Sequence, residues 1–102
     1  MNVDARYSLP PYLDRNARLL GLAGVERLAA SHVVVLGLGG VGSFAAEALA
    51  RAGVGTLTVV DGERVEATNA NRQLQAVDGE MGRPKAEALA ERLRRAVPGS
   101  RI

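Results

Sequence analysis

His32-Val33-Val34-Val35-Leu36-Gly37-Leu38-Gly39-Gly40-Val41-Gly42 is the stretch on which the reading of this chain turns. Val33 to Leu36 is a continuous apolar, mostly β-branched run that stops at a glycine, the pattern of a parallel-sheet strand buried on both faces. Gly37 to Gly42 then matches G-x-G-x-x-G. Between a strand and a helix this spacing has a mechanical meaning. The first glycine permits a tight turn, the second lets a phosphate approach the backbone, and the third allows close packing of helix on strand. The amides opening the helix then face an anion, and the partial positive charge there adds about 0.3 to 1 kcal/mol per exposed contact.

Working outward, Ser43 to Ala52 reads as the helix, with Ala45, Ala48, Leu49 and Ala52 as its apolar stripe and Gly53 as its stop. Thr56 to Val60 is a second strand, completing a βαβ unit with a right-handed crossover. Asp61 closes that strand where a carboxylate accepts hydrogen bonds from ribose hydroxyls, although Asp61-Gly62 also suits an ordinary turn. Glu63 and Glu66 read as solvated loop charges, and Asp78-Gly79-Glu80 as an exposed turn. A further helix runs from Arg83 or Pro84 to Val97, burying Ala86, Leu89, Ala90, Leu93 and Val97 before Pro98-Gly99 ends it. A third strand should begin near Arg101-Ile102. Upstream, Leu13 to Leu20 and Val25 to Ala30 read as two short helices separated by Gly21 and Gly24.

The expected architecture is α/β. It comprises a helical N-terminal arm over residues 1–31, then residues 32–102 as the N-terminal part of a Rossmann-like domain. Its parallel sheet, with helices on both faces, contains two strands and the start of a third.

Composition bounds the function. At 102 residues the chain fits one domain, and 47% apolar with 24% charged residues is ordinary for a globular one. Two Tyr, one Phe and no Trp leave a core of Ala, Leu and Val. No apolar run approaches the roughly 18 residues of a membrane span, and Met1 to Arg6 lacks a signal-peptide core, which together place the chain in the cytoplasm. The absence of cysteine excludes disulfides, thiolate metal sites and a cysteine nucleophile within these residues. A net charge of +2 does not by itself argue for nucleic acid. From Arg83 to Arg101, however, six cations face only Glu87 and Glu91. That excess suits either a solvated helix face with Glu91 paired to Arg95, or an RNA contact.

Asn69-Ala70-Asn71-Arg72-Gln73 follows the second strand, at the carboxyl edge where open α/β sheets bind ligands. Among thirteen Lys and Arg residues, Lys85 is the only lysine. Arg72 can grip phosphate oxygens bidentately, and Lys85 at a helix start can neutralise a second position as a point charge. Charge-assisted bonds of this kind contribute about 1.5 to 3 kcal/mol each. An NAD-dependent half-domain has no requirement for this cluster. His32, the only histidine, reads as structural at the entry to its strand, while Tyr7 and Tyr12 should pack the N-terminal arm on the domain or on a partner.

The combination of G-x-G-G-x-G, a strand-end Asp, N-x-N-R-Q and a later Lys resembles the ThiF/MoeB/HesA adenylating family, relatives of ubiquitin-activating enzymes. Within it, Arg15 with Leu19-Leu20-Gly21, Ser31-His32-Val33, Gly39 to Arg51, Gly53-Val54-Gly55 and Asn71-Arg72-Gln73-Leu74 are most similar to the branch that dehydrates threonylcarbamoyladenosine in tRNA. The resemblance implies ATP-dependent activation of a carboxylate, with cyclisation and loss of AMP. By it, Gly37, Gly39, Gly40 and Gly42 line the ATP phosphates and Asp61 the ribose. Asn69, Arg72, Gln73 and Lys85 serve the phosphates and the transition state, and Arg15 reaches the nucleotide of a partner across a homodimer. It implies no metal ligand in this chain, the magnesium-binding aspartate following a later strand, and leaves sulfur-transfer proteins as further partners. The alternatives it leaves are activation of a ubiquitin-like sulfur carrier at its C-terminal carboxylate, or a non-catalytic fragment that dimerises with or regulates a longer relative.

Overall fold

The structure is a computed structural model and describes residues 9–102, so Tyr7 lies outside it. A 3-10 turn at Pro11–Leu13 leads into α1, Asp14–Ala29, which breaks at Gly21 (φ 74°, ψ 165°) into two helical segments. Gly24 is helical, so the break between the two expected helices is a single residue. Then follow β1 (His32–Leu36), α2 (Gly42–Ala52), β2 (Thr56–Val60), a 3-10 turn at Ala67–Asn69 and α3 (Lys85–Ala96).

β1 and β2 pair in parallel from His32 opposite Thr56 to Leu36 opposite Val60. On the other edge of β2, Leu57 N–H donates to the Arg101 carbonyl and Arg101 N–H to the Gly55 carbonyl, both at 2.8 Å. This parallel bridge begins the expected third strand. The outer edge of β1 has no partner strand among the described residues.

One face of the sheet is covered. Val33, Val35 and Val59 pack with Leu57 against Ala46 and Ala50 of α2 and Leu89 and Leu93 of α3, with Leu38 and Val97 completing the cluster. Each fully buried Leu in it contributes about 1.5 to 3 kcal/mol relative to exposure. Both crossover helices therefore lie on the same side. The opposite face is bare among the described residues, with Val34 52%, Leu36 77% and Val60 45% exposed. This corrects the expectation of a first strand buried on both faces: the composition of β1 suits two covers, and the described residues provide one. His32 stands on the bare face, where Nε2 lies 2.7 Å from Thr58 Oγ1, a structural contact across the strands.

The stripe of α2 is also rephased. Ser43, Ala46 and Ala50 are fully buried, while Ala48 is exposed. Alanines spread over more than half of this helix's circumference, so apolar periodicity alone leaves its rotation open. In α3 the expected Leu89, Ala90, Leu93 and Val97 are buried, Ala86 is half-buried, and Ala88 and Lys85 join the buried set. Asn16 Nδ2 donates to the carbonyls of Arg51 (3.1 Å) and Ala52 (3.2 Å), docking α1 on the C-terminal end of α2. Tyr12 packs over Gly99, where an added Cβ would meet its hydroxyl at 3.0 Å.

Candidate functional site

The glycine turn follows β1 and opens α2. Gly37 adopts φ 92°, a left-handed conformation that favours glycine. A Cβ on Gly42 would lie 1.8 Å from the Gly37 carbonyl oxygen, so the turn closes only with glycine there. Ser43 N–H bonds the Gly39 carbonyl at 3.0 Å, while the amides of Gly39 and Gly40 have no partner among the described residues. Free N–H groups at the start of an eleven-residue helix are donors suited to cradling an anion.

Asp61 lies beside this cradle and is tied to it. Its Oδ2 accepts from Leu38 N–H and its Oδ1 from Glu63 N–H, both at 2.7 Å. Burial opposes its ionisation, but those two amide donors and the Lys85 charge outweigh that and hold the carboxyl below its ordinary value. An ionised acceptor is thereby kept at the end of β2.

Arg72 is exposed, and its stem lies against the cradle: a Cβ on Gly40 would meet its Cβ and Cγ at 3.4 Å. Its Nη1 is parked on the Thr68 carbonyl (3.0 Å) and Asn71 Oδ1 (2.9 Å), acceptors that a phosphate can replace. Lys85, 5% exposed at the start of α3, has Nζ 3.4 Å from Glu63 Oε1. Asn69 and Gln73 are buried. Asn69 Oδ1 accepts from Glu66 N–H (2.8 Å) in a reciprocal capping arrangement, and Gln73 Oε1 accepts from Gln75 (3.1 Å). Both carboxamides thus shape the loop with their oxygens.

The glycine turn, Asp61, Arg72 and Lys85 are linked through these contacts. Arg15 is not brought to them. It is exposed on α1, beside the C-terminal end of α2, roughly 16 Å along that helix from the cradle at 1.5 Å per residue.

Three residues at the site escaped the sequence reading. Glu63 is the solvated loop charge expected, its side chain 78% exposed, but its pairing with Lys85 was not foreseen. Gln75, 2% exposed, donates to the Leu38 carbonyl at 2.8 Å. Ser43, fully buried, places Oγ 3.4 Å from Leu74 N. Only the proximity of Glu63 to the strand end was legible; the partners of Gln75 and Ser43 are distant in sequence.

Beyond the cradle, Arg83 reaches Glu80 (2.6 Å), Glu91 (2.9 Å) and Glu87 (3.4 Å). Hydrogen bonds to Glu91 and Glu80 hold its pKa above the ordinary value. The expected Glu91 to Arg95 pair is absent, because Glu91 is taken by Arg83. Arg92 instead grips Glu47 at 2.7 Å, and that bond, against opposing burial, lowers the Glu47 pKa. A groove of about 460 Å³ between α2 and α3 is lined by Arg51, Gln75, Glu91 and Arg92 among others. That groove meets the site at Gln75, and none of Gly39, Gly40, Asp61, Arg72 or Lys85 lines it, so their chemistry is assigned by donors and charge.

A family model described as "ThiF family" matches residues 13–102. The chain belongs to the ThiF family. It is 48% identical over 86 residues to the tRNA threonylcarbamoyladenosine dehydratase of Escherichia coli K12, covering 84% of this chain and 32% of that protein. The Bacillus subtilis 168 protein of the same name is 52% identical over 79 residues, covering 78% of this chain and 31% of the relative. A crystal structure of the E. coli enzyme in complex with ATP superposes with a TM-score of 0.87 at 45% identity, over 89% of this chain and 37% of that one. The ThiF-family chain thus spans about a third of the length of the curated relatives it matches. No helix among the described residues is long and apolar enough to cross a membrane.

Proposed function

We propose that this chain supplies the phosphate and ribose half of an ATP-dependent carboxylate-adenylating site, and that the carboxylate belongs to threonylcarbamoyladenosine in tRNA. The observation that carries the reading is the free-amide cradle joined to Asp61 through Leu38, with the Arg72 stem packed on Gly40. The likeness to the E. coli enzyme crystallised with ATP supports the nucleotide, and the likeness to two dehydratases supports the acceptor.

In this reading Gly39 and Gly40 donate to phosphate, and Asp61 accepts from ribose hydroxyls. A carboxylate oxygen of the acceptor attacks the α-phosphorus, forming an O–P bond as the bond to the β-phosphate oxygen breaks and pyrophosphate leaves. Arg72 and Lys85 exchange their parked acceptors for the charge growing on that leaving group, which lowers the barrier where it is highest. The nitrogens of Asn69 and Gln73 serve the phosphates. Magnesium accompanies the triphosphate in this reading, with its aspartate ligand expected after a later strand, outside these residues. Arg15, exposed and remote from its own cradle, is suited to a second copy's nucleotide in a homodimer. The setting is the cytoplasm.

Titration of the chain with magnesium ATP should give binding no tighter than micromolar. NAD in place of ATP would overturn the nucleotide assignment. Pyrophosphate exchange by the longer protein containing this segment should respond to threonylcarbamoyl-modified tRNA; response instead to a carrier ending in Gly-Gly would move the acceptor to a sulfur-carrier protein. Arg72→Ala should abolish exchange, and pairing without any exchange would indicate a dimerising or regulatory fragment.

A further inference from the structure

Gln75 lies under the glycine turn, nearly sealed from solvent at 2% exposure. One N–H of its Nε2 donates to the Leu38 carbonyl at 2.8 Å, and Nε2 also lies 3.1 Å from Gln73 Oε1. Its own Oε1 is the one buried side-chain polar atom without a partner among the described residues. Turning the amide over would offer that oxygen other surroundings, but would set it against the Leu38 carbonyl, acceptor facing acceptor. The orphaned oxygen therefore marks an orientation imposed by the glycine turn.

The Leu38–Gly39 peptide is trans, as are all the described peptide bonds. In a trans peptide the carbonyl and the following N–H point in opposite directions. With the Leu38 carbonyl drawn inward to Gln75, the Gly39 N–H is turned outward, and it has no partner among the described residues. Asp61 fixes the preceding amide of the same residue at 2.7 Å, so Leu38 is held at both polar atoms. By taking Gln73 Oε1 as acceptor, Gln75 also leaves the Gln73 amide nitrogen turned away from it.

We propose that Gln75 is a positioning residue of the nucleotide site, aiming the Gly39 N–H and the Gln73 amide at the phosphates without touching them. This rests on the ATP reading given above. A preset donor costs no rearrangement when the anion arrives, so losing the clamp weakens binding while leaving the fold in place.

The test compares the chain with Gln75→Met, which keeps the volume and removes the donor and the orphaned oxygen together. Its thermal midpoint should stay within about 5 °C of the parent, because relief of one unsatisfied buried oxygen offsets much of the loss of two hydrogen bonds. ATP should bind about tenfold more weakly by calorimetry, the loss of one well-aimed bond to a charged group. In ¹⁵N–¹H spectra the Gly39 resonance should move on ATP addition in the parent and move far less in the variant. Unchanged affinity together with an unchanged Gly39 response overturns the proposal. If the parent does not bind ATP, the ATP reading falls by itself, and the clamp is judged without nucleotide: Gln75→Met must shift the free Gly39 amide, and an unmoved resonance overturns it. Should the variant not fold, hydrogen exchange in the parent decides. Slow exchange of a Gln75 side-chain N–H with fast exchange at Gly39 supports the clamp, and a protected Gly39 amide overturns it.

Discussion

The two sides of this sheet are finished to different degrees. At the edge where β1 and β2 end, every turn is tied to another: Asp61 and Gln75 hold Leu38, the Arg72 stem covers Gly40, and Glu63 neutralises Lys85. Across the face left bare among the described residues, Val34, Leu36 and Val60 are exposed, and the one side-chain bond found there among those residues joins His32 to Thr58. The difference teaches that a ligand cradle is a local object. It is assembled from two loops and two helix starts. Covering a sheet is a different kind of task, since it takes an additional layer of chain or a partner.

The sharpest way to break the finished side is Gly42→Ala. A methyl placed 1.8 Å from the Gly37 carbonyl forces the turn open. Loss of about 3 kcal/mol in chemical denaturation, with ATP affinity down about a hundredfold, is expected. A variant as stable and as tightly binding as the parent would show that the turn is not the cradle. Next is Arg72→Ala, whose guanidinium is exposed and, among the described residues, bonded only within its own loop. ATP affinity should fall about tenfold to thirtyfold by calorimetry while stability changes by less than about 1 kcal/mol. An equal fall in stability would make Arg72 a structural residue.

Acid distinguishes the sides more gently. The Asp61 carboxyl titrates below its ordinary value of 3.8 in the folded chain, so its contribution to stability is complete above that pH and disappears as pH falls through the folded pKa. Asp61→Asn should therefore flatten the acid limb of a denaturation profile below pH ~4, and an unaltered limb would mean the Leu38 tie is absent in solution. Glu47, lowered from 4.5 by its bond to Arg92, adds to the same limb and not to any alkaline one. The smallest expected effect is on the bare side: Val34→Thr should leave stability and ATP affinity within about 0.5 kcal/mol. It should, however, reduce concentration-dependent self-association in light scattering, because an exposed apolar strand beside an open edge invites pairing. Undiminished association would place the sticky surface elsewhere.

Much of the finished side was legible in the sequence because its signals are contiguous. The β-branched runs gave β1 and β2 nearly to the residue, and the glycine spacing fixed the turn between them. The stripe of α2 was misphased because Ala45, Ala46, Ala48, Ala50 and Ala52 present the same surface over more than half of the helix. Gln75 was invisible because its partner, Leu38, is 37 residues away and nothing local announces the contact. The bare face was misread for a related reason: Val33 to Leu36 states what surroundings a strand is suited to, whereas which surroundings it has depends on other chain segments. Arg15 carried a role by resemblance alone, and its placement on α1 follows from Asn16 docking on α2, which no motif encodes.

Lys85 is the only lysine side chain in the sequence and is only 5% exposed. An amine-directed reagent therefore has one side-chain address, and it is at the candidate site. Opening of the Glu63 contact should raise the labelling rate there, and under the proposed ATP reading a bound polyphosphate should suppress it. One modified peptide in a mass spectrum thus becomes an occupancy meter for the cradle, with no competing lysine elsewhere in the chain to blur the count.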